Sequence, residues 1–205
     1  MDFRKILKLK NLNPKKTESI KPFLDLGLIN KEVVLGGGAL RTLLNPNDVV
    51  CDYDLFFVTD NILKLRSLKT MTESKILAAK GEKIFQCPKD ELRSYRWEGM
   101  KIQLITLDGT MYDSVESIIN SFDINASRLA YNGEIFYVAP RAITDIRKKT
   151  ITLHKITYAL ATCKRICRYG QKGFSNTEAF KDILEYAYNA GRDDFEIDME
   201  TVYVD

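Results

Sequence analysis

The alternation of apolar and polar residues along the chain predicts a region of mixed strands and helices, followed by a helical region. Period-two patterns predict strands at residues 32–35, 52–58, 83–86, 92–97, 101–106, 122–131 and 134–138. Helical spacing predicts helices at residues 17–28, 39–44, 61–79 and 113–119, and then at 141–148, 153–169 and 176–189. The dipeptide Asn132-Gly133 predicts a hairpin between the last two strands.

The change from mixed to helical patterning falls near Ala139. We therefore predict a mixed α/β domain at residues 1–139, a small helical module at 140–192 and an acidic tail at 193–205. The expected fold class is α+β, with a mixed, mostly antiparallel sheet of about five strands and flanking helices. The helical module follows this sheet.

Composition supports a globular chain that is not a membrane protein. The 205 residues are 45% hydrophobic and 29% charged, which is an ordinary balance for a folded domain. No apolar run approaches the roughly 20 residues that would span a bilayer, and no signal-like stretch follows Met1. The 4 cysteines are scattered and predict reduced thiols. We expect a soluble, cytoplasmic protein.

The net charge of +3 is unevenly distributed along the chain. Residues 193–205 hold six acidic and no basic side chains, so the rest of the chain carries +9. Between Arg141 and Lys172 there are nine basic residues against the single acid Asp145. Such a segment is typical of a surface that meets a polyanion, and equally of a solvated helix face.

A glycine-rich turn follows the first predicted strand. The residues Gly36, Gly37 and Gly38 separate this strand from a predicted helix, and Arg41 lies in the first turn of that helix. Glycine lets a backbone approach a ligand closely, and the N–H groups at a helix start favour phosphate. The turn therefore predicts a cradle for a triphosphate, with Arg41 near the same anion. Many such turns are only tight connections.

Two aspartates occupy alternate positions of the next predicted strand. The side chains of Asp52 and Asp54 would share one face, with their Cα atoms about 7 Å apart. Two neighbouring carboxylates repel each other, and a divalent cation between them removes the repulsion. Two such ions can hold the attacking and leaving oxygens of a phosphoryl displacement. The alternative is an exposed edge strand with two solvated acids.

The sequence Gly37-Gly38-Ala39-Leu40-Arg41, followed by Asp52-Tyr53-Asp54-Leu55, resembles the head domain of tRNA CCA-adding enzymes and bacterial poly(A) polymerases. These enzymes belong to the polymerase-beta-like nucleotidyltransferase superfamily. Ile124-Asn125-Ala126 is similar to a second strand motif of the same enzymes. Arg168-Tyr169 and Gly173-Phe174 resemble the end of the basic helix in their nucleotide-binding neck.

The resemblance implies a metal-dependent transfer of a nucleoside monophosphate from an NTP to an acceptor hydroxyl. Asp52 and Asp54 would hold two Mg²⁺ ions. Asp123 would supply a third carboxylate ligand and help to deprotonate the acceptor. Gly37, Gly38 and Arg41 would hold the β- and γ-phosphates.

The second and third motifs imply further nucleotide contacts. Asn125 would touch the sugar, or alternatively fix a strand edge by hydrogen bonding. Arg165 and Arg168 would contact the triphosphate or an RNA backbone. The sequence departs from the family at Thr42, where an aspartate is usual, and at residues 120–123, where an Arg-Arg-Asp triplet is absent.

Three readings of the function follow. RNA, and tRNA in particular, is the acceptor that the resemblance favours, with addition at the 3′ end. The same chemistry could serve a protein side chain or a small molecule as acceptor. The fold could also survive as a nucleotide- or RNA-binding module without catalysis.

Overall fold

The computed structural model describes residues 6–10, 17–48, 50–87, 92–106 and 111–197, with side chains described as far as residue 189. The strands are β1 (Leu7–Lys10), β2 (Val33–Gly36), β3 (Tyr53–Phe57), β4 (Glu82–Gln86), β5 (Leu92–Trp97), β6 (Met100–Ile105), β7 (Leu129–Tyr131) and β8 (Ile135–Val138). The helices are α1 (Lys21–Asp25), α2 (Ile62–Ala78), α3 (Val115–Ser121), α4 (Pro140–Lys148), α5 (Ala159–Gln171) and α6 (Thr177–Ile197).

All eight strands form one sheet in the order β1-β8-β7-β2-β3-β6-β5-β4. Only β3 and β6 pair in parallel, and every other neighbouring pair of these strands is antiparallel. The α+β class and the mixed, mostly antiparallel sheet are thus confirmed. The expected number of about five strands is wrong. One reason is β1, whose four residues are too few to give a clear pattern and which forms by pairing with β8.

The helix predicted at residues 39–44 is a 3-10 helix that spans Gly37–Leu43. Two further 3-10 turns occupy Glu18–Ile20 and Asn125–Ser127. The long helix α2 begins after Asn61, whose side-chain oxygen accepts from the N–H groups of Leu63 and Lys64. In the described part of the chain, no helix is both long and apolar enough to cross a membrane.

Two sequence predictions around Asp123 are wrong. The strand predicted at residues 122–131 is reduced to β7, because the Ile124 N–H donates to Asp123 Oδ1 and a 3-10 turn follows. Asp123 and Asn125 therefore do not alternate along a strand. The helix predicted from residue 153 begins six residues later, because Leu153 forms a bridge with Ile124 and the His154 N–H donates to the Asp123 carbonyl at 2.6 Å.

Strand β3 lies between two hydrophobic layers. On one face its Tyr53 ring packs against Phe23 of α1, with 4.6 Å between ring centroids. On the other face, which Asp54 shares, Phe56 packs edge-on against Phe122 at 5.6 Å. Burial on both faces explains why β3 is rich in aromatic residues.

The helices after residue 139 contribute to the same hydrophobic core. Ile146 of α4, Ile166 of α5 and Ile183 of α6 are all buried within the core cluster of the sheet. The division of the chain at residue 139 stays a prediction. The acidic tail stays one too, since its side chains lie outside the described residues.

Candidate active site

The glycine turn lies directly against Asp54. Gly36 pairs with Asp54 across β2 and β3, so the turn begins where this carboxylate emerges from the sheet. Gly37 has φ +76°, and a Cβ placed on it would lie 3.3 Å from Asp54 Oδ2. Only glycine adopts this backbone without strain, and the missing side chain leaves space beside the carboxylate. The glycine turn and the Asp54 carboxylate, which the sequence predicted to act together, are therefore adjacent.

Asp54 has a polar neighbour in the parallel strand β6. Gln103 is its register partner, and it is buried. In the amide orientation that satisfies both ends, Gln103 Nε2 donates to Asp54 Oδ1 at 2.9 Å and its oxygen accepts from Lys101 Nζ at 3.2 Å. One oxygen of the carboxylate is thus fixed by the sheet, while the other faces the glycine turn.

The carboxylates fit a hard cation that also takes oxygen ligands from a substrate. Asp52 immediately precedes β3, and both Asp52 and Asp54 are partly exposed. Among the residues described, no three His, Cys, Asp or Glu side chains come together as a metal-binding group. Mg²⁺ commonly binds through one or two carboxylates and completes its shell with water and substrate phosphates. Asp52 and Asp54 match that donor set.

Arg41 lies behind the turn in a buried polar network. Its side chain is only 2% exposed, and its Nε donates to Asp48 Oδ2 at 2.7 Å. Its Nη1 donates to the Tyr169 hydroxyl of α5 at 2.6 Å. A Cβ at Gly38 would lie 2.6 Å from the same Nη1, so this glycine makes room for the guanidinium. Arg41 thus joins the turn to α5, and its expected contact with phosphate stays a prediction.

Charge compensation keeps this network ionised. Burial opposes the positive charge of Arg41, but the Tyr169 hydroxyl and the Asp48 carboxylate outweigh it and hold the pKa of Arg41 above its ordinary value. Burial likewise acts to raise the pKa of Asp48, yet Arg41 and Lys149 hold that pKa below its ordinary value. Arg41 and Asp48 therefore form a charge-compensated ion pair that is shielded from water.

Asp123 is committed to α5 and does not join the other two aspartates in a metal-binding group. It is 7% exposed. Its Oδ2 accepts from Thr162 Oγ1 at 2.8 Å and from Arg165 Nη1 at 2.6 Å. The expectation that Asp123 is a third metal ligand is not supported by these contacts, because its oxygens already bind α5 and the Ile124 N–H.

The remaining predicted residues divide into two groups. Asn125 is buried, its Nδ2 donates to Thr152 Oγ1 and the Leu153 carbonyl, and its Oδ1 accepts from Arg128. These contacts favour the structural alternative for Asn125. Arg165 and Arg168 lie on the exposed side of α5. The ion pair with Asp123, the residue after Phe122, fixes the position of the Arg165 side chain.

Several residues of this site were not predicted from the sequence. Asp48 lies in a loop whose composition indicates only a turn, and its pairing with Arg41 depends on the fold. Tyr169 was noted as part of the Arg168-Tyr169 motif, and the structure shows that it is buried and accepts from Arg41. Gln103 did carry a signal, because it is a polar residue between Ile102 and Leu104 of a buried strand.

A protein-family model matches the sequence from the last residue of β1 to the residue after α4. The model for the Gabija anti-defense 2 family (Gad2) matches residues 10–149, which is more than half of the chain. The protein belongs to the Gabija anti-defense 2 family. No curated protein is detectably similar to this Gad2 family member in sequence.

Solved structures share the fold of this Gad2 family member. The Thermotoga maritima CCA-adding enzyme complexed with tRNA matches with a TM-score of 0.57 and 15% identity, over 88% of this chain and 48% of that one. A CCA-adding enzyme in complex with CTP gives a TM-score of 0.62 at 16% identity, over 90% of this chain and 47% of the enzyme. A CCA-adding enzyme in complex with ATP gives a TM-score of 0.56 at 17% identity, over 80% of this chain and 41% of the enzyme.

These matches confirm the resemblance to CCA-adding enzymes at the level of the fold. They cover most of this chain, and the chain spans a little under half the length of each enzyme. The Gad2 family member therefore has a nucleotidyltransferase-like fold.

Proposed function

We propose that the protein is a metal-dependent nucleotidyltransferase, which transfers a nucleoside monophosphate from an NTP to an acceptor hydroxyl. One observation carries the proposal: the carboxylate of Asp54 lies against the glycine turn, with 3.3 Å between Oδ2 and the place of a Cβ at Gly37. A phosphate held at the turn would therefore lie beside the carboxylates. The likeness in fold to CCA-adding enzymes supports the same reading.

Each part of the site has a role in this proposal. The backbone at Gly37 and Gly38 would approach the β- and γ-phosphates. A side chain at Gly37 would crowd Asp54. A side chain at Gly38 would displace the guanidinium of Arg41. Asp52 and Asp54 would hold two Mg²⁺ ions. When bound, these ions activate the acceptor hydroxyl and neutralise charge on the leaving group. Arg41 positions the turn against α5 through Asp48 and Tyr169.

The reaction needs little covalent chemistry from the protein. The acceptor oxygen forms a bond to the α-phosphorus, and the bond from that phosphorus to the oxygen bridging to the β-phosphate breaks. Pyrophosphate leaves, and the proton of the acceptor hydroxyl passes to water. The chain contributes orientation and charge complementarity, which supply most of the acceleration in phosphoryl transfer.

Helix α5 would bind the nucleotide or the acceptor. Asp123 fixes the direction of Arg165 by an ion pair and holds the helix through Thr162. Lys164, Arg165 and Arg168 are exposed on this helix. Cations placed in this way bind phosphates of a triphosphate or of an RNA backbone without reading sequence.

RNA is the first acceptor that we propose, with addition to its 3′-hydroxyl. The excess of basic residues between Arg141 and Lys172 supports this choice. One of the structurally similar enzymes is a complex with tRNA. Addition to RNA would show strong salt dependence in binding.

A protein acceptor is the second candidate, and family membership favours it. The family name describes proteins that act against the Gabija defence. Attachment of a nucleotide to a side chain would inactivate a target protein directly.

The test is a transfer assay with each α-labelled NTP, Mg²⁺ and either total RNA or a mixture of proteins. Asp54→Asn is the active-site variant, and Asp25→Asn is the control, since Asp25 is an exposed aspartate of α1 outside the site. Label on RNA that Asp54→Asn abolishes and Asp25→Asn retains supports RNA addition. Label on protein with the same dependence supports the second candidate. Mg²⁺-dependent NTP binding without transfer to RNA or protein would contradict both candidates and leave a small-molecule acceptor or a silent binding module.

A further inference from the structure

A cleft with its own ionisable side chains lies outside the group formed by the glycine turn and the paired aspartates. It has a volume of about 480 Å³ and lies where the 3-10 turn at Asn125–Ser127 and the extended segment 152–154 meet the first turns of α6. Neither Asp52 nor Asp54 lines it. Its ionisable lining consists of Arg128, Arg141, His154, Glu178 and Asp182.

Arg128 is a buried cation with neutral partners. It is 6% exposed. Its Nε donates to the Ile119 carbonyl at 3.3 Å, its Nη1 to Asn125 Oδ1 at 3.1 Å and its Nη2 to Asn120 Oδ1 at 2.7 Å. No ion pair joins Arg128 to a carboxylate within the described chain. Burial accordingly lowers the pKa of Arg128, with no carboxylate contributing to the shift.

Arg41 differs from Arg128 in having a carboxylate partner. Arg41 is also buried, at 2% exposed against 6% for Arg128, and the carboxylate of Asp48 compensates its charge. A buried charge without an opposite charge is costly, and an anionic ligand would offset that cost. Three of the five N–H groups of Arg128 are used, which leaves one on each Nη atom. Two such groups can donate together to a phosphate or carboxylate.

Further groups in the cleft extend the match to a sugar phosphate. Arg141 is 46% exposed; its Nε donates to Thr152 Oγ1 at 3.2 Å and lies 3.3 Å from Asp145 Oδ1, with which it forms an ion pair. Two arginines therefore line one cleft. Glu178 and Asp182, exposed on α6, are acceptors for hydroxyl groups. A ligand with a phosphate at one end and hydroxyls at the other would pair its phosphate with the arginines and its hydroxyls with the carboxylates.

We infer that this cleft binds the phosphate of a ribose phosphate, with Arg128 and Arg141 holding the phosphate and Glu178 and Asp182 accepting from the ribose hydroxyls. The ribose phosphate is supplied either as a free nucleotide or as the end of an RNA strand. This site is separate from the glycine turn and does not depend on the proposed transferase activity.

The test is calorimetric titration of the full chain in EDTA, which removes Mg²⁺ from the paired aspartates. The probes are AMP, adenosine, inorganic phosphate and a 5′-phosphorylated tetraribonucleotide. AMP should bind and adenosine should not. Tighter binding of AMP than of the tetranucleotide assigns the ligand to a free nucleotide, and the reverse order assigns it to RNA.

Two variants locate the binding. Arg141→Gln should weaken AMP binding about tenfold or more, since a charge-assisted hydrogen bond is lost. The matched control Arg66→Gln removes an exposed arginine of α2 and should leave the affinity unchanged. Arg128→Gln should abolish binding, and its circular dichroism spectrum checks that it folds. The inference is overturned if no phosphorylated probe binds, or if Arg141→Gln binds AMP as the wild type does.

Discussion

Replacing Asp48 by asparagine tests whether the buried ion pair holds the glycine turn against α5. The substitution keeps the shape of the side chain and removes its negative charge. Arg41 would then keep its contact with the Tyr169 hydroxyl at 2.6 Å but would lose the negative charge that compensates it. Lys149, 3.3 Å from Asp48 Oδ1, would also lose its partner, but its side chain is 36% exposed and can rehydrate.

The expected loss follows from the burial of the pair. The side chains of Arg41 and Asp48 are 2% and 4% exposed. Removing one partner of a buried pair costs about 3–5 kcal/mol. The asparagine oxygen can still accept from Arg41, which retains about 1 kcal/mol. We expect the free energy of unfolding to fall by about 2–4 kcal/mol.

Urea unfolding of the wild type and Asp48→Asn measures this loss. With a slope of about 2–3 kcal/mol per molar urea, the midpoint should fall by about 1 M. Asp25→Asn is the control, because Asp25 pairs with Lys21 on the surface and is 61% exposed. Its midpoint should not change measurably.

The loss should also depend on pH, since the folded pKa of Asp48 lies below its ordinary value. The charge of Asp48 stabilises the fold fully above the unfolded pKa of about 3.9 and less as the pH falls through the folded value. The difference between wild type and Asp48→Asn should therefore be constant above about pH 5 and shrink below about pH 4. A loss below about 0.5 kcal/mol at pH 7, the range of an exposed pair, would refute the reasoning.

Three further predictions concern the same region. Gly37→Ala and its control Gly99→Ala both place a side chain at positive φ, and each should lower the free energy of unfolding in urea by about 1–2 kcal/mol. Only Gly37→Ala crowds Asp54, so only this variant should reduce nucleotidyl transfer. Equal activity of the two variants would contradict the role of the turn. Tyr169→Phe should lower the free energy of unfolding by about 1–3 kcal/mol because Arg41 loses an acceptor, whereas Tyr188→Phe, 88% exposed, should have no effect. Asp123→Asn should raise the KM for NTP more than it lowers kcat, because Arg165 loses its anchor, and an unchanged KM would argue against a nucleotide contact by Arg165.

The sequence predicted those features that depend on local patterns. The glycine turn and the strand with Asp54 are adjacent in the chain, and their pairing through Gly36 brings them together as expected. The helix predicted at residues 61–79 and the hairpin at Asn132-Gly133 likewise depend on short-range chemistry.

Features that depend on distant contacts could not be predicted. The segment around Asp123 alternates like a strand, but the Leu153 bridge and the α5 contacts impose a different backbone. One hydrogen-bond partner of Arg41 is Tyr169, which lies 128 residues further along the chain. Arg128 carries no local signal at all, since its meaning comes from burial without a carboxylate.

The most direct measurement of the central claim compares an NTP labelled at the α-phosphate with the same NTP labelled at the γ-phosphate. Nucleotidyl transfer predicts that the α-label appears on the acceptor, that the γ-label appears only in pyrophosphate, and that both signals disappear in Asp54→Asn. Label from the γ-phosphate on the acceptor, or its release as orthophosphate alone, would contradict the account.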